Sequence, residues 1–124
     1  MNEFFISEFL YIKHTKRGFG VFTKKAIQAN TVIEHSPFSS CWESKWVNTP
    51  DNLKKIVFTF PKGIDNYVIA LGYISIYNHS DMHNANWETS HTGLYIKTIK
   101  DINPEEEIFI NYGNAYWSHG WAKF

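Results

Sequence analysis

Ala70-Leu71-Gly72-Tyr73-Ile74-Ser75-Ile76-Tyr77-Asn78-His79-Ser80 is the stretch around which the chain is organised. It closes the longest nearly unbroken apolar run of the protein, Tyr67 to Tyr77. A run of that kind belongs in a core. Yet it ends in three polar side chains with dense hydrogen-bonding capacity, Asn78, His79 and Ser80. Leaving such groups buried and unpaired costs about 1–3 kcal/mol each. Either the triplet faces water as an ordinary turn, or the fold delivers it to a site.

The segments on either side read as short strands. Phe4 to His14 is rich in Phe, Ile and Tyr, and a basic turn follows at Lys13-His14-Thr15-Lys16-Arg17. Gly18-Phe19-Gly20 leads into Val21-Phe22. Two glycines around an aromatic mark either a hairpin or bulge, or a close approach of backbone to another group. They are not the dinucleotide fingerprint, because the third glycine and the strand-to-helix context are missing. Thr31 to His35 is a strand by its β-branched content. Ser39 to Asn52 is polar, and a helix there would put Trp42 and Trp46 on one face. Ile56 to Phe60 is a strand ended by Pro61-Lys62-Gly63. Asn84 to Glu88 and Leu94 to Ile99 flank Ser90-His91-Thr92-Gly93 and read as a hairpin. Glu107 to Tyr112 alternates as a strand and stops at Gly113. Many short strands without a strong amphipathic helix predict a mainly β domain with minor helix.

Composition narrows the function. The 124 residues suit one domain. Five Trp, seven Tyr and ten Phe exceed what a core of this size needs, so some should line a groove or an interface. Twelve Lys and Arg balance twelve Asp and Glu, which gives no support for bulk attraction to nucleic acid. Cys41 is alone, so no internal disulfide or multi-cysteine zinc cluster is expected. Met1-Asn2-Glu3-Phe4-Phe5 lacks a signal-peptide pattern, and no apolar run reaches the roughly 20 residues that span a bilayer. A soluble intracellular protein without a membrane partner is expected. His79, His83 and His91 lack the His-Glu-x-x-His pattern, so metal is disfavoured. Nothing around Cys41 signals a nucleophile elbow. Spacing alone therefore ends at a small β-rich domain with a polar triplet and a tyrosine at a strand end.

In their order, these pieces resemble the SET domain of protein-lysine methyltransferases. Arg17-Gly18-Phe19-Gly20-Val21 looks like the family's Gly-x-Gly motif. Asn78-His79-Ser80 looks like its Asn-His-Ser motif. Ile102-Asn103-Pro104-Glu105-Glu106, followed by Ile108 to Gly113, looks like the Gly-Glu-Glu-Leu segment leading to the catalytic Tyr-Gly. The likeness runs from about Tyr11 to Trp117 and is nearest to the minimal viral SET proteins, through Ala70-Leu71-Gly72-Tyr73 and Ala115-Tyr116-Trp117. A single SET domain over residues 1–124 is expected.

The resemblance implies several small curved sheets. It also implies a C-terminal strand in a pseudoknot-like crossing that brings Asn78-His79 beside Tyr112. It implies S-adenosyl-L-methionine as cofactor, held by Arg17, Gly18, Phe19, Gly20, Asn78, His79, Tyr112 and Trp117. Tyr112 would be catalytic. Phe58, Phe60, Tyr73 and Tyr116 would line the substrate lysine's channel. The family's usual glycine before the double Glu looks replaced by Asn103-Pro104, and a frequent channel tyrosine looks replaced by Phe58. The implied partner is a lysine-containing protein or peptide, a histone tail if the source is a eukaryotic virus, which would place the protein in the host nucleus. A homodimer would hide part of the aromatic excess. Two alternatives stand beside the enzyme: a SET-fold binding module with a pocket but little turnover, and a dimeric interaction protein using its aromatic tail.

Overall fold

Among the described residues, eleven short strands carry the fold: β1 (Phe5–Ile6), β2 (Leu10–Thr15), β3 (Gly18–Thr23), β4 (Val32–Ser36), β5 (Phe38–Ser44), β6 (Val57–Thr59), β7 (Tyr67–Ala70), β8 (Asn78–His79), β9 (Ala85–Thr89), β10 (Leu94–Thr98) and β11 (Glu107–Ile110). The computed structural model describes residues 3–54 and 56–113. Among these the only helical pieces are three 3₁₀ turns, Trp46–Asn48, Asp51–Leu53 and Ile74–Ile76. The mainly β architecture expected from the sequence is present.

The strands form three small sheets, in the orders β1-β4-β10-β9, β2-β3-β11-β8 and β5-β7-β6. The hairpin read around Ser90 is β9-β10, paired from Leu94↔Thr89 to Thr98↔Ala85. The Ser90 hydroxyl accepts from the backbone N–H of Thr92 and Gly93 and so closes its turn. Alternation sorts each strand's faces. Ile108 and Ile110 of β11 are buried, as are Leu94, Ile96 and Thr98 of β10. With Val21, Ile33, Val68, Ile74 and Ile102, the four apolar ones among them make one core. Burying a side chain of this size stabilises by about 1.5–3 kcal/mol.

Two local expectations need correction. Phe4 to His14 is not one strand. The chain turns at Ser7, whose carbonyl accepts from Leu10 N–H at 3.1 Å, and this sends β1 to β4 and β2 to β3. Trp42 and Trp46 do not share a helical face. Trp42 lies in β5, and Trp46 opens a 3₁₀ turn with its ring 5.2 Å from that of Tyr67. Sheet pairing with β7 overrode the weak helical spacing.

One crossing places the site. Strand β11 runs antiparallel to β3 on one side and parallel to β8 on the other. The register sets Phe109 opposite Asn78 and Ile110 opposite His79. The loop after β8 then straps β11. Asn84 donates through Nδ2 to the Glu107 carbonyl at 3.0 Å and accepts through Oδ1 from Phe109 N–H at 2.8 Å. An amide suits that position because it both donates and accepts.

Candidate active site

Strand β8 is the end of the opening stretch, and its parallel pairing to β11 delivers Asn78 and His79 to the start of Tyr112. The Tyr112 backbone N–H donates to His79 Nδ1 at 2.9 Å. Nδ1 must then be the unprotonated nitrogen, so the ring proton sits on Nε2, where it donates to Asp81 Oδ1 at 3.2 Å. Burial pushes the His79 pKa below the usual 6.5; the bond and charge of Asp81 oppose this, and the charges of His83 and Arg17 add to it. A neutral imidazole is what the Tyr112 N–H needs. The two rings lie 5.1 Å apart.

The Tyr112 hydroxyl donates to the Tyr77 carbonyl at 2.9 Å. With its proton committed there, the oxygen keeps its lone pairs as acceptors. The ring packs against the edge of the core, as do Phe60 and Tyr73. Phe58 is buried in that core, with its ring 5.0 Å from Trp87. Trp87 Nε1 in turn donates to the carbonyl of Asn111, the residue before Tyr112. Phe60 sits 4.6 Å from Phe38. Tyr112, Phe58, Phe60, Tyr73 and Trp87 thus form an aromatic neighbourhood at and within the edge of the core.

On the neighbouring strand, Asn78 Nδ2 donates both of its hydrogens, to the Phe19 carbonyl at 3.1 Å and to Glu107 Oε2 at 2.7 Å. Arg17 lies over the Phe109 ring at 5.4 Å. Arg17, Gly18, Phe19, Gly20, Asn78, His79 and Tyr112 thus gather around β3, β11 and β8. Gly20 has a sharper reason than approach to a ligand. A Cβ there would stand 2.5 Å from Glu107 Oε2 and 3.0 Å from Asn78 Nδ2, so any larger residue must displace the Glu107–Asn78 pair. Gly18 differs, with φ +101° and open space where a side chain would be. Trp117 and Tyr116 lie outside the described residues. Among the described residues no group of three His, Cys, Asp or Glu could hold a metal ion.

The model of the SET domain matches residues 18–113, which include the glycine pair, the Asn-His-Ser triplet and Tyr112. The chain belongs to the SET-domain family. A histone-lysine N-methyltransferase of Schizosaccharomyces pombe, described as specific for H3 lysine-37, is 31% identical over 111 residues, 87% of this chain and 76% of that protein. The crystal structure of a Plasmodium falciparum protein assigned as a histone methyltransferase superposes with a TM-score of 0.71 at 29% identity, covering 90% of this chain and 99% of that one. A chain of ctPRC2, solved with H3K27me3 and H3K27M, gives a TM-score of 0.67 at 17% identity over 87% of this chain and 15% of its own, a likeness of fold alone. The protein-lysine methyltransferase class expected from the sequence stands on this membership.

SET methyltransferases use S-adenosyl-L-methionine, and the residues of this SET domain fit such a group. Phe19 is 62% exposed, an aromatic surface offered to solvent beside the open left-handed Gly18. The Asn78 amide, its hydrogens tied to Phe19 and Glu107, is held in one orientation.

Just past Asn103-Pro104, Glu105 adopts φ +70°, in the left-handed region that favours glycine. The sequence reading passed over Glu34, Tyr77, Asn84, Trp87 and Glu107. Only Glu34 carries a signal, a carboxylate inside the β-branched run Val32-Ile33-Glu34.

Proposed function

We propose that this SET domain transfers a methyl group from S-adenosyl-L-methionine to a lysine ε-amine of a histone tail, with Tyr112 as the catalytic residue. The observation that carries the reading is the Tyr112 hydroxyl, held by its hydrogen bond to the Tyr77 carbonyl, at the edge of an aromatic wall. When bound, the cofactor supplies a methyl group activated by a sulfonium. This chain's residues supply position and electrostatics. A lysine amine has a pKa of about 10.4 in water and must be neutral to attack. An aromatic channel of Phe58, Phe60, Tyr73 and Tyr116 disfavours the ammonium form. The Tyr112 oxygen accepts one amine N–H and so aims the nitrogen lone pair. Arg17, Gly18, Phe19, Gly20, Asn78, His79 and Trp117 hold the cofactor, largely through main-chain atoms and the fixed Asn78 amide.

The histone tail and a nuclear location are proposed by analogy with the Schizosaccharomyces pombe relative, a histone-lysine N-methyltransferase. A homodimer is part of the same proposal. It rests on Phe4, Phe5 and Ile6, which are exposed at the open edge of the first sheet. Light scattering that gives a monomer at high micromolar concentration, with activity intact, removes the dimer and leaves the enzyme.

The reading is tested with methyl-labelled cofactor and histone octamers, followed by mass spectrometry of the labelled residue. Label on one histone lysine is the expected result. Cofactor binding without label on any protein would favour a pocket without turnover, and no cofactor binding would remove the reading altogether.

A further inference from the structure

Glu34 is a buried carboxylate that the chemistry above does not use. It lies in the middle of β4, between β1 and β10, and is fully excluded from solvent. Among the described residues no Lys, Arg or His forms an ion pair with it. Instead it accepts three hydrogen bonds. Ser36 Oγ and the Tyr73 backbone N–H donate to Oε2 at 2.6 and 2.7 Å, and the Tyr77 hydroxyl donates to Oε1 at 2.7 Å. Burial pushes the Glu34 carboxyl above its usual range, and the three bonds pull it back. Burial and the Glu34 charge push the Tyr77 phenol well up, so it keeps its proton and donates.

The two distant donors bracket one turn. Tyr73 precedes the 3₁₀ turn Ile74–Ile76, and Tyr77 follows it. The turn approaches the carboxylate so closely that a Cβ on Gly72, at φ +66°, would overlap both Glu34 and Ser36. Tyr77 is 1% exposed, and its carbonyl is the acceptor for the Tyr112 hydroxyl. Asn78 and His79 come next in the chain.

We propose that Glu34 is a positioning residue for methyl transfer: it clamps both ends of the 73–77 turn, and thereby fixes the Tyr77 carbonyl that orients the Tyr112 hydroxyl. This inference rests on the assignment of Tyr112 as catalytic. Glu34 touches neither substrate nor cofactor. Of the two ends it holds, Tyr77 is the one that meets Tyr112, and this part of its effect exists only while Tyr112 has a hydroxyl to be oriented.

The test compares Glu34→Gln in the wild-type chain and in a Tyr112→Phe chain. The amide keeps the shape but cannot accept all three bonds. In the wild-type background kcat should fall about 10-fold while KM for a histone peptide stays within about 2-fold, since a displaced reacting group costs turnover before binding. In the Tyr112→Phe background the same substitution should cost no more than about 2-fold. A readout independent of turnover is the tyrosine ¹³Cζ spectrum of the unliganded protein, with the Tyr112 resonance assigned by its loss in Tyr112→Phe. That resonance should move in Glu34→Gln. Tyr77→Phe, which removes the donating hydroxyl, serves with the same readouts if Glu34→Gln does not fold. An equal fall of kcat in both backgrounds, or an unmoved Tyr112 resonance, would overturn the positioning role and leave Tyr112 catalytic. Full turnover of Tyr112→Phe alone would overturn both assignments, and that single arm tells the two failures apart.

Discussion

The Tyr112 backbone N–H and the His79 imidazole are joined by a 2.9 Å hydrogen bond in which His79 Nδ1 is the acceptor. Protonating that nitrogen would abolish the bond. Because burial lowers the His79 pKa, the folded chain binds fewer protons than the unfolded chain just below the ordinary value of 6.5. Stability from this group is therefore fully present above 6.5 and is lost as pH falls through the lowered folded value. Melting curves between neutral and mildly acidic pH should fall more steeply for the wild type than for His79→Asn. Parallel slopes would show that His79 does not titrate against the fold.

Gly20 is hemmed in by Glu107 and Asn78. Gly20→Ala must displace a carboxylate and an amide that are bonded to each other. Overpacking of this kind costs about 1–3 kcal/mol, and the melting temperature should drop by roughly 5 °C or more. Cofactor affinity by calorimetry should fall as well, because displacing Glu107 loosens the Asn78 amide bonded to it. Gly18→Ala meets no neighbour, so its cost is the backbone strain of φ +101° alone. A Gly20→Ala protein that melts and binds like the wild type would contradict the packing reason for this glycine.

Glu105 holds φ +70° and accepts a hydrogen bond from the Tyr11 hydroxyl. Comparing Glu105→Gly with Glu105→Ala removes the carboxylate from both and leaves only the backbone difference. The glycine variant should be the more stable by about 1 kcal/mol, the scale of left-handed strain in a residue with a Cβ. Denaturant melts measure this directly. Equal stability, or a more stable alanine variant, would mean that the turn is not strained.

Much of the fold could be read from short patterns. The β9-β10 hairpin, the alternation of Glu107 to Ile110 and the apolar run before Asn78 each follow from local periodicity. What could not be read from period was the parallel pairing of Asn78-His79 with Phe109-Ile110, because nothing local says which strand lies beside which. Only the order of three motifs pointed there. The split of Phe4–His14 at Ser7 and the strand at Trp42 were set by long-range pairing. The motifs themselves were legible, whereas the residues that hydrogen-bond around them were not. Glu34, Asn84 and Trp87 act through hydrogen bonds to backbone or side-chain atoms distant in sequence. A lone buried Glu or Trp looks the same in sequence whether it supports a site or fills a core.

The measurement that bears most directly on the assignment is turnover of Tyr112→Phe on a histone peptide, taken beside cofactor affinity and melting temperature. The substitution removes one oxygen and keeps the ring that packs against the core. An interaction made only in the transition state affects kcat more than binding. The account predicts a loss of kcat on the order of 10²-fold or more. Cofactor affinity should be nearly unchanged, and the melting temperature should move by only a few degrees. Near-full turnover, or loss of the folded state, would contradict it and make Tyr112 a packing residue.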